Sequence, residues 1–241
     1  MVSWRGFRAR RAAPKNSRPR VSQRPRVVSR VQLGDFTPDL DVYLGLAAYL
    51  QLALFESLGR ASSIAPSTRA KALTGLVATS TLERHKSLLT EIERTGGDAP
   101  ELMQPHIVVI DDFQKRTGSG DWYEAILASY VAAGLLNDVF SRLAAGLPDD
   151  YRERVVAALE RGASSDETQI VAELSLQISV DPKLASRLAL WGRRLVGDTL
   201  LVARAAIAAS HESADDERLE PVFTELIAAH TRRMDALGLT A

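Results

Sequence analysis

From Thr37 onward, apolar residues recur at helical spacing in long segments that end at proline or glycine. No segment alternates as a strand does, with turn residues at its ends. Segments of about 20–30 residues joined by short loops force antiparallel neighbours, and hence a bundle. Thr37 is placed to cap, Pro38 suits the first helical position and Asp39 suits the first turn, which predicts a helix over 38–62. Pro66-Ser67 open a second helix, which runs to about Thr95 and stops at Gly96-Gly97. A shorter helix is predicted over 100–116. Gly118-Ser119-Gly120 break the chain, and Asp121 caps a helix over 121–145. Pro148 opens a segment that Gly162 interrupts and that continues to Val180. Long helices over 181–210 and 215–237 complete the chain.

The chain has 241 residues, 46% of them apolar, which is enough for a sizeable core. The absence of cysteine excludes a disulfide scaffold, thiolate metal sites and a cysteine nucleophile. No apolar run reaches about 18 residues without a charge, so no membrane span is expected. The N-terminal region has no continuous apolar stretch of the kind a secretory signal needs, so a cytoplasmic protein is expected.

Formal net charge is zero, but the charges are segregated. Residues 1–30 hold Arg5, Arg8, Arg10, Arg11, Lys15, Arg18, Arg20, Arg24, Arg26 and Arg30, and no acid. The rest of the chain carries 20 basic and 30 acidic groups, so an arm of +10 precedes a body of −10. With Pro14, Pro19 and Pro25 and few apolar residues, the arm cannot bury enough surface to offset its ordering entropy, and it reads as disordered. Four roles suit it: a contact for RNA or DNA, a contact for anionic lipid, a solvated arm that repels aggregation, or an arm that folds back on the acidic body. Trp4 and Phe7 can stack on bases or enter a lipid interface. The expected organisation is a disordered basic tail over 1–34, a helical bundle over 35–211 and a C-terminal amphipathic helix over 212–241.

The chain has no phosphate-cradling glycine loop, dinucleotide fingerprint, nucleophile elbow or HExxH helix. His211 and His230 lie in polar surroundings and read as solvated, and His106 has no partner pattern. A bundle can still build a metal site from its inner faces, with carboxylates on two helices and Glu-x-x-His on two others. Advancing about 100° per residue locates the inward polar groups. Gln51 falls within the stripe of Leu40, Leu44, Ala47, Leu54, Phe55 and Leu58, while Glu56 falls to one side. His85 sits on the shoulder of Leu73, Val77, Leu88 and Ile92. Glu83 points away, because residues two apart on a helix do not share a face. Ala133 centres the stripe of Trp122, Ile126, Leu136 and Phe140, and Asp138 lies off it. Glu167 faces inward with Ile170, Leu174 and Ile178, and Ser164-x-x-Glu167 also reads as a capping box. Gln51, His85 and Glu167 can hold one weakly bound ion at most, and the amide of Gln51 is a poor ligand. No catalytic, cofactor-binding or metal-ligating set is assigned. Arg194 and Asp198 are expected to pair on the surface, and Trp191 to lie in the core.

The stretch DPKLASRLALWGRRLVGD at 181–198, with AYLQLALFE at 48–56 and DWYE at 121–124, resembles ferritin-like proteins of actinobacteria grouped with the tRNA hydroxylase (MiaE)-like family. The resemblance spans roughly 35–210. It implies a ferritin-like four-helix core with added helices, and in the namesake enzymes a carboxylate-bridged di-iron centre that hydroxylates a modified tRNA base. Carried over, the first carboxylate position falls on Gln51, the second-helix Glu-x-x-His on Leu82-x-x-His85, the third-helix acid on Ala133 and the last motif on 166–169. The resemblance therefore implies a branch that kept the scaffold and lost the iron ligands. The expected protein is all-α and non-catalytic, with no cofactor. It would act through a partner, RNA or a ribonucleoprotein, at Arg5, Arg8, Arg10, Arg11, Arg18, Arg20, Arg24 and Arg26. The alternatives are an iron-dependent hydroxylase like its relatives and a bundle that pairs with itself as a homodimer.

Overall fold

The computed structural model describes residues 33–208 and 216–240, and side chains outside 205–219. The described residues contain helices and no strand. A 3-10 turn, Leu33–Phe36, precedes α1 (Leu40–Ser63), α2 (Thr68–Thr95), α3 (Ala99–Met103) and α4 (Ile107–Arg116). Then come α5 (Trp122–Ala128), a π turn at Ser129–Ala133, α6 (Gly134–Leu143), α7 (Asp149–Glu160), α8 (Ala163–Val180), α9 (Pro182–Ala208) and α10 (Asp216–Ala236).

Local chemistry accounts for most boundaries. Ser67 accepts the Ala70 amide at 3.1 Å, Asp121 accepts that of Glu124 at 3.0 Å, and Asp181 accepts those of Lys183 and Leu184 at 2.9 and 3.1 Å. Each supplies an acceptor to an otherwise orphan first-turn N–H. α2 ends at Gly96 as expected. The expected cap at Thr37 is corrected, because the residue preceding α1 is Asp39 and it makes no side-chain cap. The Thr37 hydroxyl instead lies within hydrogen-bonding reach of Gly34 O, at 2.8 Å, and of Leu143 O, and its one proton ties the entry of α1 to the end of α6 through these carbonyls.

α1 and α2 form an antiparallel pair, α5–α6 packs on α1, and α7–α8 packs on α2. α5 also meets α8, which closes a four-membered core. α9 lies outside it against α4, α5, α6 and α8, and α10 packs on α6 and α9. α1 is long and apolar enough to cross a membrane, but most of its apolar stretch is buried inside this bundle.

The core is two apolar clusters stacked along the bundle. One gathers Tyr43, Leu44, Leu50, Leu88, Ile92, Phe140 and Leu159, and the other Leu58, Leu73, Val77, Trp122, Ile126, Ile170 and Leu174. On α2, buried Thr81, Arg84 and His85 fall between the residues given to each cluster. At the α7–α8 corner, buried Asp166 falls between Leu159 and Ile170. A polar layer thus crosses the bundle at mid-height.

Each cluster carries one polar lock. Tyr43 donates its hydroxyl to Phe140 O at 2.7 Å and packs edge-on against the Phe140 ring, and burial pushes that hydroxyl's pKa up. In the other cluster, Trp122 Nε1 donates to Thr74 Oγ1 at 2.9 Å, while Thr74 donates to Ala70 O at 2.8 Å. Thr74→Val keeps the shape and strands the indole N–H. The expected loss is about 1–3 kcal/mol in urea unfolding, whereas Thr79→Val, at an exposed site, leaves the midpoint nearly unchanged.

Candidate functional site

The polar layer is the natural place to look for chemistry. Gln51 is fully buried on α1, and its Nε2 donates to Asn137 Oδ1 on α6 at 2.9 Å. Its Oε1 is buried without a hydrogen-bond partner. His85, buried on α2, holds Ala48 O at 2.9 Å through Nδ1. A carbonyl only accepts, so Nδ1 is the donor.

Arg84 sits beside His85, 4% exposed. Its Nε donates to Arg161 O at 2.8 Å and its NH2 group to Asp166 Oδ2 at 2.5 Å. Ser80 donates to the other oxygen of Asp166 at 2.9 Å. Burial pushes the Asp166 carboxyl above its ordinary pKa, and Ser80 and Arg84 pull it back. Gly162 sets this corner: its φ of +70° turns the chain from α7 into α8 so that Arg161 O and the Asp166 side chain both reach Arg84.

A second basic group approaches from α10. Arg233 donates to Asp138 Oδ2 at 2.9 Å and lies 3.8 Å from Glu167 Oε1. It passes so close to α6 that a Cβ on Gly134 would lie 2.5 Å from its Nε. Tyr130 lies nearby, its hydroxyl pushed up to about 12 by burial and by Glu167. Arg84, Tyr130, Asn137, Asp166 and Arg233 line a cavity of about 410 Å³.

Several expectations find their places here. Gln51 and His85 point inward and are buried, as the stripes require. Glu167 does not: it is exposed, and Asp166 is the inward acid. Both flank Ile170 on one side of α8, and the partners divide them, Asp166 to Arg84 on α2 and Glu167 to Arg233 on α10. Ser164 makes no capping box, because α8 begins at Ala163 after Gly162. His230 is not solvated but 2% exposed, with neither ring nitrogen hydrogen-bonded. Burial, and then Arg233, holds its pKa below the ordinary value. Trp191 is half-buried rather than core, donating to Glu124 O at 3.2 Å beneath the Arg194 guanidinium. Arg194 does reach Asp198, at 4.0 Å. Arg5, Arg8, Arg10, Arg11, Arg18, Arg20, Arg24 and Arg26, and His211, lie outside the described residues.

Asn137 and Arg84 were not legible as members of this layer. Leu136 and Phe140 are buried as the stripe through 121–145 requires, but nothing local marks Asn137, whose partner Gln51 lies 86 residues away. Arg84 carries no local sign of an acid partner 82 residues away.

A di-iron centre does not fit these residues. The His85 ring is oriented as a ligating histidine would be, with Nδ1–H on a carbonyl. The other inward polar groups are an amide that donates to another amide and an acid already held by a guanidinium. Among the described residues, no group of three or more histidines and acids could hold an ion.

The buried pair yields a direct test. Arg84→Met leaves Asp166 buried without its partner, and a loss of about 3–5 kcal/mol in denaturant unfolding is expected. Arg84→Met combined with Asp166→Leu is expected to recover most of that loss, giving a clearly non-additive cycle.

No curated protein matches the sequence. A family model described as a ferritin-like domain of actinomycetes matches residues 36–216, which takes in the four-membered core, the polar layer and α9. The chain belongs to the ferritin-like domain family of actinomycetes.

Proposed function

We propose that the protein is a ferritin-like scaffold that has lost its di-metal chemistry and acts by binding a partner, RNA or a ribonucleoprotein, through its basic arm. The Arg84–Asp166 pair carries this reading. It occupies the region, 166–169, onto which the tRNA hydroxylase-like resemblance places the last ligand motif. A guanidinium there already compensates the one buried carboxylate, and its charge opposes a dication. Gln51, at the first carboxylate position, uses its amide N–H on Asn137. The hydroxylase reading needs both the 166–169 region and Glu56 turned into the core; Asp166 is turned inward, but Glu56 stands at the surface paired with Arg60.

The arm's ten basic groups and the body's excess of ten acids support the second half of the proposal. A polyanion is repelled by the body and attracted by the arm, so the arm sets encounter and affinity.

Protein purified from iron-supplemented cells is expected to carry no stoichiometric iron by elemental analysis. A content of about two irons per chain, as di-iron bundles hold, would sink the metal-free reading. Binding to single-stranded RNA is expected to fall on the order of a hundredfold between about 50 and 200 mM salt and to vanish on deletion of residues 1–30. Salt-insensitive binding that survives the deletion moves the site to the body.

A further inference from the structure

We propose that a recess between α1, α4 and α5 binds a small amphipathic anion, with its apolar body against Leu54, Leu58 and Phe113 and its carboxylate or sulfonate head at Arg60. The recess measures about 410 Å³, within the range of roughly 300–1,000 Å³ that ligand pockets occupy. It is a separate site from the Arg84 cavity. Ser129 lines both, so the π turn forms a wall between them. The proposal does not depend on the metal-free reading.

The recess exists because one wall is short. Leu54, Leu58 and Phe113 are buried and line it from α1 and α4. Facing them on α5 and the π turn are Ala125, Ala128 and Ala132, at spacings of three and four. Those positions share a helix face, and methyl groups there cannot span the gap. Their neighbours Ile126, Leu127 and Val131 are fully buried elsewhere in the core, so the gap is confined to the alanine face. Close-packed interiors leave few voids larger than a water molecule. Apolar walls with a few polar groups at the rim are the usual form of a small-molecule site. A π turn in such a wall is also typical of functional positions.

The rim selects charge. Among the residues lining the recess, Arg60 alone is charged. Its NH2 group donates to Ser57 Oγ and to Gln114 Oε1, both at 3.1 Å, and its NH1 group donates to Glu56. Gln114 is anchored in turn through its Nε2, which donates to Ala53 O. Arg60 is thereby held across the α1–α4 mouth. A guanidinium has five N–H donors, so donors remain for an incoming anion. Glu56 competes for the same cation, which makes the charge of residue 56 a second handle on affinity.

The test uses the full chain, with 1-anilinonaphthalene-8-sulfonate as fluorescent probe and decanoate or decanol as competitors. One saturable probe site per chain is expected, with decanoate displacing the probe at least about tenfold better than decanol. Ala128→Leu and Ala125→Leu fill the recess and are expected to abolish decanoate binding while circular dichroism and melting temperature are retained. Arg60→Gln weakens decanoate about tenfold and leaves decanol unchanged, and Glu56→Gln tightens decanoate. Arg60 is exposed, so its variant decides the matter if a filled variant fails to fold. Decanoate binding unchanged in both filled variants, or equal displacement by decanol, overturns the proposal.

Discussion

The Arg84–Asp166 pair is the constraint around which the bundle is arranged. Two apolar clusters stack along the helices, and apolar contact alone would let them slide. The pair, with Ser80 and the Arg161 carbonyl, fixes where α8 sits against α2. Against an apolar pair of equal shape, a buried ion pair contributes little net stability, while breaking one is costly. Its effect here is positional. Gly162 has to take the left-handed conformation, α8 has to start at Ala163, and Asp166 rather than Glu167 has to face the core.

The same layer shows how a ferritin-like interior is kept satisfied without ligand oxygens. Gln51 and Asn137 exchange an amide hydrogen bond across α1 and α6, and His85 spends its proton on α1. One orphan remains, Gln51 Oε1, in a layer otherwise closed on itself. A carboxylate at position 51 would enter this layer with no cation of its own, since Arg84 is already engaged by Asp166. A neutral residue at 51 and a guanidinium at 84 therefore make one consistent set.

Much of this could be read from the sequence. Proline, glycine and capping residues placed nearly every helix to within a few residues, because caps and breakers act over one turn. The stripes put Gln51 and His85 inside for the same reason, since 3.6-residue periodicity holds along α1 and α2. It failed where the deciding contact is distant in sequence. Asn137 was hidden because its partner, Gln51, lies 86 residues away. The choice between Asp166 and Glu167, adjacent on one face, rests on Arg84 and Arg233 from other helices. His230 looked solvated because its neighbours in sequence are polar, yet α10 turns it onto the bundle.

These features bear on where a partner would act. Several cations of the body are already engaged: Arg84 by Asp166, Arg233 by Asp138, and Arg187 on α9 by Asp121 and Glu124. An arginine held by two acids offers an external anion little net field. The body's charge excess is negative, while the arm concentrates ten basic groups in thirty residues with no acid among them. In the proposed reading the arm is the main source of long-range attraction for a polyanion. The α1–α4 recess is a different case, because a small anion can bury its apolar part there and needs only the single cation at the rim. The two proposed activities weigh these forces differently, screened charge leading in one and apolar burial with a single rim cation in the other, so salt acts on them unequally.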